Sequence, residues 1–203
     1  MTAGPAPGSP ARPRGFALAL LPSELRGWDA APPADVLGVF LWSDVRPLRG
    51  AAGLLDWRLS GKLSSLIQSG RLGGTDGEQL LLPLGGRLPW KLSLVTGLGP
   101  RAGFTGARFQ AAVERALGAL RGLAVSDVAL ALPGRDVEAL PARRAVELML
   151  NQLRASPEHG WLRRLTVIEG PQGHRELAEV IRPPAGAPGA ADPAGAARHP
   201  PAR

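Results

Sequence analysis

The chain has 203 residues, no cysteine and a formal net charge of +7 at pH 7. The lack of cysteine excludes disulfide bonds, thiolate catalysis and cysteine-ligated metals, and it is compatible with a reducing cytoplasm. The positive charge is almost all arginine, with only Lys62 and Lys91 as lysines, and no predicted helix combines a basic stripe with exposed aromatic residues, so we expect no nucleic-acid partner.

No apolar run approaches the roughly 18 residues of a membrane span, so we predict a soluble, cytoplasmic protein that has no membrane partner. The two ends of the chain differ in composition from its middle. Residues 1–13 and 183–203 are rich in proline, alanine and glycine without periodicity, which is typical of disordered tails. The remaining stretch, 14–182, has the size of one domain.

In chain order, the first half predicts strands and a helical pair. Apolar runs bounded by glycine or proline predict strands, and apolar residues at three- and four-residue steps predict helices. The strands are 16–21, 36–42, 78–84 and 90–96, and the helical pieces are 51–59 and 62–69. The last two strands are separated by Gly85-Gly86-Arg87-Leu88-Pro89, a spacing that predicts a hairpin.

The second half is organised around the stretch Trp90–Gly134, whose pattern predicts a strand, a glycine turn, a helix and a second strand. Its first strand is expected to stop at Gly97-Leu98-Gly99-Pro100, and the helix that follows has Thr105 as N-cap and Gly122 as a left-handed C-terminal residue. The second strand is 128–132, and this spacing favours a parallel pair of strands with a right-handed crossover. Further elements are predicted for helix 141–155, strand 162–168 and helix 175–181.

A series of short motifs then occurs in a fixed order along the chain. They are Arg49-Gly50, Asp56, Gly61, Leu63, Gly73, Gly77-Glu78, Leu80-Leu81-Leu82-Pro83, Leu94-Val95-Thr96-Gly97-Leu98-Gly99 and Val128-Ala129-Leu130-Ala131-Leu132-Pro133. In their order and spacing, from about Val36 to Ile168, the chain resembles the amino-terminal domain of the leucyl (cytosol) aminopeptidase family. The resemblance implies a three-layer α/β fold of macro-domain type, in which helices flank a mixed, mostly parallel sheet, and a role in assembly and partner contacts.

In that family the chemistry belongs to a separate carboxy-terminal domain with a two-metal site, and we expect that domain to be missing here. Its signature is an Asn-Thr-Asp-Ala-Glu-Gly-Arg run, whereas the sole asparagine of this chain, Asn151, is followed by Gln152 and Leu153. A two-metal hydrolase needs its clustered carboxylates. His159, His174 and His199 show no metal-ligand spacing either. We therefore predict no aminopeptidase activity, no metal site and no cofactor.

Two glycine loops follow predicted strands and could hold a phosphate, since ligands of α/β folds lie beyond the carboxyl ends of strands and near helix N-termini. The candidate ligand-binding residues are Gly97, Gly99, Arg101, Gly170, Gly173 and Arg175, with His174 beside them. The alternative is that these glycines only form turns, because Gly-x-Gly without the full dinucleotide fingerprint is mostly a turn. Loops packed shut would favour turns, and loops facing an open cleft with free N–H groups would favour binding.

Two functions remain open. The first is a non-catalytic, stand-alone domain that works by protein contact, either with itself as a homo-oligomer or with a catalytic aminopeptidase. The alternative is a small-ligand binder of macro type that takes ADP-ribose or another nucleotide phosphate in the glycine loops.

Overall fold

A computed structural model describes residues 16–155 and 160–181 of the chain. The strands in these residues are β1 (Ala17–Pro22), β2 (Ala34–Trp42), β3 (Gln79–Pro83), β4 (Trp90–Gly99), β5 (Asp127–Ala131) and β6 (Arg164–Glu169). The helices are α1 (Leu25–Asp29), α2 (Gly50–Arg58), α3 (Lys62–Gln68), α4 (Gly106–Gly122), α5 (Ala142–Ala155) and α6 (Pro171–Ile181), and a 3-10 turn spans Arg135–Val137. The predicted tails, His159 and His199 lie outside the described residues.

The strands form one sheet in the order β1-β6-β5-β2-β4-β3. Every neighbouring pair is parallel except β3 and β4, which form the predicted antiparallel hairpin. The strands predicted at 90–96 and 128–132 are parallel, as expected, but they are not neighbours, because β2 lies between β4 and β5 and pairs with both. All of β2 from Val36 to Trp42 is buried, and a strand that is apolar on both faces belongs at the centre of a parallel sheet.

Alternate side chains of β2 enter two separate cores, one on each face of the sheet. Val36 and Phe40 pack with residues of α4, α5 and α6. Leu37 and Leu41 pack with residues of α1, α2 and α3. The arrangement is three layers, with helices on both faces of a mixed, mostly parallel sheet, so the predicted fold class is confirmed.

The two ends of α4 test the predictions for Thr105 and Gly122. Thr105 is the N-cap of α4, as expected, and its side chain accepts a hydrogen bond from the Arg108 N–H. The prediction for Gly122 is wrong: this glycine is still helical, and the left-handed residue is Ala124, with φ of 54°. Hydrogen bonds from the N–H groups of Leu123 and Ala124 continue the last turn beyond Gly122.

Among the described residues, no helix combines the length and the apolar character that crossing a bilayer requires. The same residues contain no group of three or more His, Asp or Glu side chains placed to hold a metal ion.

Candidate functional site: a cleft at the carboxyl edge of the sheet

The carboxyl ends of β2, β5 and β6 open onto a cavity of about 280 Å³, referred to below as the cleft. Its apolar lining residues are Phe40, Ala51, Ala52, Ala131, Leu132 and Ile168. Its polar side chains are Ser23, Arg49, Arg135, Asp136 and Glu169, and Gly50, Gly170 and Pro171 complete the lining. This is the edge of an open α/β sheet at which ligands bind.

One wall of the cleft is the first turn of α2. Its N-cap is Arg49, whose side chain makes no capping hydrogen bond, so the N-cap supplies no side-chain acceptor for the first N–H groups of Gly50, Ala51 and Ala52. Such N–H groups carry a partial positive charge and favour an anion. Gly50 has φ of +53°, and an added Cβ would lie 2.8 Å from the Asp136 Cβ. Only glycine therefore lets this turn approach the opposite wall so closely.

Arg49 is the exposed cation of the cleft. Within the described part of the chain its guanidinium has no hydrogen bond, and its charge acts through space on Asp136. Asp136 accepts a hydrogen bond of 3.0 Å from the Trp42 Nε1. Burial raises the pKa of Asp136, and the Trp42 hydrogen bond and the Arg49 charge offset that rise only in part.

The second carboxylate of the cleft, Glu169, is almost fully buried and already paired. Its Oε2 accepts from the Arg135 Nε at 3.0 Å, with the two side chains 3% and 13% exposed. Its Oε1 accepts from the Gly170 N–H at 2.9 Å. Arg135 also donates to the Leu140 carbonyl, so this pair joins the loop after β5 to the end of β6. The Glu169 carboxylate thus occupies the position an external anion would take at the start of α6.

The first predicted glycine loop is closed by packing. The Gly97 N–H donates to the Glu78 carbonyl at 2.7 Å, and the Gly99 N–H donates to the Gly74 carbonyl at 2.8 Å. A Cβ on Gly97 would lie 2.0 Å from the Thr75 carbonyl oxygen. The N–H groups of these two glycines therefore already have partners within the chain. The Arg101 N–H also has one, since it donates to the Asp44 carboxylate at 2.9 Å.

In the second loop, Gly170 lines the cleft and has open space beside its Cα. Gly173 is buried, and a Cβ there would lie 2.5 Å from the Glu169 Cγ. Arg175 is exposed on α6 and does not line the cleft. Of the six residues predicted as a ligand site, Gly170 is therefore the one that reaches this cleft.

The loop that covers Gly97 contains a second bound carboxylate. The Glu78 Oε2 accepts from the N–H groups of Gly73, Gly74 and Thr75 at 3.0, 2.7 and 3.1 Å. Burial alone would raise the pKa of Glu78, but these hydrogen bonds outweigh burial and lower it. Consecutive N–H groups of this kind form anion-binding nests. Here the chain fills the nest with its own side chain.

Most residues of the cleft were not singled out by the sequence. Arg49 and Gly50 belong to the motif series of the family resemblance, and the sequence pattern points to none of Arg135, Asp136 and Glu169. The available signal is Pro133-Gly134 after an apolar strand, a pattern that places the following residues at the carboxyl edge of a parallel sheet. Choosing among several such loops requires the strand order, which local patterns do not contain.

Comparisons with known proteins give one family and one fold. No curated protein matches the sequence. Tomato leucine aminopeptidase, in a mutant form, is 16% identical with a TM-score of 0.55; the match covers 84% of this chain and 36% of the tomato chain. The Trypanosoma brucei macrodomain in complex with ADP-ribose is 17% identical with a TM-score of 0.62. The match covers 81% of this chain and 68% of the macrodomain chain. An Oceanobacillus iheyensis macrodomain mutant is 14% identical with a TM-score of 0.58. That match covers 81% of this chain and 92% of the macrodomain chain.

At these identities the solved structures show a shared fold. The family itself is identified by sequence, because a model of the cytosol aminopeptidase family, N-terminal domain, matches residues 36–154. That match spans more than half of the chain and includes β3, β4, β5 and most of β2 and α5. The chain belongs to the family of cytosol aminopeptidase N-terminal domains.

Proposed function

We propose that this chain is a non-catalytic domain that binds a small molecule with an anionic group in the cleft. The observation that carries the proposal is Arg49, a guanidinium without a hydrogen-bond partner among the described residues, placed beside the uncapped first turn of α2. A guanidinium and helix N–H groups together favour a carboxylate or phosphate. The Trypanosoma brucei macrodomain, which shares the fold, is described in complex with ADP-ribose, and this supports a ligand of that general kind.

The non-catalytic part of the proposal is supported by the extent of the family match, which is to the N-terminal domain. The expected result is that purified protein, loaded with divalent metal, releases no amino acid from a leucyl amide. Release above the level of a metal-only control would contradict it. Like the cytoplasmic location inferred from composition, this part remains a prediction.

A thermal-shift panel of ADP-ribose, AMP and inorganic phosphate tests the binding proposal. A ligand at about one hundred times its Kd stabilises the fold by about 2.7 kcal/mol, which raises the Tm of a domain of this size by several degrees. We expect Arg49→Ala to abolish the shift. Arg71→Ala is the matched control, because Arg71 is exposed and does not line the cleft. A wild-type Tm that neither these anions nor an amino acid, which carries a carboxylate, changes would contradict the proposal, and so would shifts that survive Arg49→Ala.

Protein contact is the second candidate function, and one observation favours it. Trp57 on α2 is 65% exposed, and the Arg58 guanidinium lies 5.5 Å from its ring centroid. Exposed aromatic residues of this kind are enriched at protein interfaces. The occupant we propose is a second copy of the chain, in line with the assembly role that the family resemblance implies.

Light scattering across a concentration series tests self-assembly. We expect a mass that rises with concentration in the wild type and stays monomeric in Trp57→Ser. Leu81→Ser is the matched control, since Leu81 is also a large, exposed apolar residue, 40% exposed, but lies on the edge strand β3. A wild-type protein that is monomeric throughout, or equal effects of both substitutions, would contradict this candidate.

A further inference from the structure

The polar side chains of the cleft carry charges of both signs, which restricts the ligand. Arg49 and Arg135 contribute two positive charges, and Asp136 and Glu169 contribute two carboxylates. We infer that the cleft takes a small zwitterion, with its carboxylate on Arg49 and the first turn of α2 and its ammonium group facing Asp136 and Glu169. This inference rests on the proposed function, because it names the chemistry of the ligand that the cleft binds.

Only some of these four charged side chains already have an ion-pair partner within the described residues. Arg135 is already bound to Glu169, whereas Arg49 has no hydrogen bond or ion pair with a carboxylate among the described residues and acts on Asp136 only through space. The site therefore offers one available cation, and a diphosphate would bring at least two negative charges close to Asp136 and Glu169. Like charges brought together in a partly desolvated site repel each other strongly.

The carboxylates can accept an ammonium group. A carboxylate offers about four lone-pair positions. The contacts found for Glu169 are those with Arg135 and Gly170, and the Asp136 carboxylate accepts from Trp42 and from the N–H groups of Asp136 itself and of Val137. An ammonium ion supplies three N–H donors for the remaining positions, and its charge compensates the burial of the Asp136 carboxylate.

The size and lining of the cavity fit a small ligand. Its volume of about 280 Å³ lies just below the range of roughly 300–1,000 Å³ that is typical of drug-sized ligands. Phe40, Ala131 and Ile168 contribute apolar surface to its lining. A short aliphatic group can be buried there while both charged groups of a zwitterion stay on the polar side chains.

Isothermal titration with valine and two blocked forms tests the inference. Valine has both charges, N-acetylvaline lacks the ammonium group and valinamide lacks the carboxylate. We expect valine to bind and each blocked form to bind at least about tenfold more weakly, because each leaves a charged group of the cleft without its partner. Arg49→Ala should abolish valine binding, and Arg71→Ala should leave it unchanged.

Asp136→Asn tests the ammonium contact separately. The variant keeps an oxygen that can accept from Trp42 and loses the charge. It should therefore fold, bind valine more weakly and lose most of its preference for valine over N-acetylvaline. Thermal unfolding of the variant without ligand checks the fold. Unchanged discrimination between valine and N-acetylvaline in Asp136→Asn would overturn the assignment of this carboxylate.

The remaining outcomes separate the two proposals. Binding of ADP-ribose without binding of valine would overturn the zwitterion inference and leave the proposed function standing. Equal binding of valine and N-acetylvaline would also overturn the inference, since the ammonium group would then contribute nothing. If neither valine nor any anion binds, both proposals fail.

Discussion

The structural role of Gly97 differs from the turn that the sequence predicts. Gly-x-Gly followed by Pro100 is typical of a turn, yet Gly97 lies within β4 and is buried. Glycine is required there because the loop containing Gly74 and Thr75 passes directly over its Cα. The glycine serves a close approach of two backbone segments, a requirement that no local pattern reveals.

Replacing Gly97 by alanine should therefore destabilise the fold by at least about 3 kcal/mol, because the new Cβ would overlap backbone that cannot easily move. Gly118→Ala is the matched control. Gly118 is an exposed position inside α4 with no atom within 4 Å of the added Cβ, and alanine there should stabilise by up to about 1 kcal/mol. Urea denaturation measures both changes, and equal effects would contradict this explanation.

Glu78 gives a prediction that depends on pH. Because hydrogen bonds lower its pKa in the folded state, its carboxylate contributes stability that is fully present above its ordinary pKa of 4.5 and is lost as the pH falls through the lower, folded value. Glu78→Gln should cost about 1–2 kcal/mol at pH 7 and progressively less below pH 4.5. Exposed Glu176→Gln provides the comparison. A cost independent of pH would contradict the role of the charge.

At the scale of elements, most of the fold could be predicted from the sequence. The six strands and the longer helices have enough residues for an apolar period, and the structure places them within a few residues of the predicted bounds. The five residues of α1 and the three of the 3-10 turn at Arg135–Val137 are too short to show one. Strand order could not be predicted either, because β2 enters between β4 and β5 through contacts distant in sequence.

The buried ion pair between Arg135 and Glu169 connects β6 to the loop after β5. Arg135→Met should destabilise by about 3 kcal/mol, because it leaves the Glu169 charge buried without its partner. Arg135→Met combined with Glu169→Gln should recover part of this loss, since glutamine is neutral and can still accept from the Gly170 N–H. Urea denaturation of the single and the double variant measures their free energies of unfolding. A double variant no more stable than Arg135→Met would contradict it.

At the scale of the whole molecule, the chain keeps the macro-type fold, but its own carboxylates fill two positions at which backbone N–H groups could bind an anion. Glu78 occupies the turn at Gly73–Thr75, and Glu169 occupies the start of α6. The first turn of α2, beside Arg49, has no such side-chain cap. The sequence also predicts a ligand site at the carboxyl edge of the sheet, but it places that site in glycine loops, and in the first of these the N–H groups of Gly97 and Gly99 have internal partners.

The central claim is that a ligand binds in the cleft between α2 and the loops after β5 and β6. The most direct test is a titration of ¹⁵N-labelled protein with valine and with ADP-ribose, followed by amide chemical shifts. We expect the largest shifts at Gly50, Ala51, Ala52 and Gly170, which line the cleft. Shifts concentrated at Gly97, Gly99 and Arg101, or no shifts with either compound, would contradict the claim.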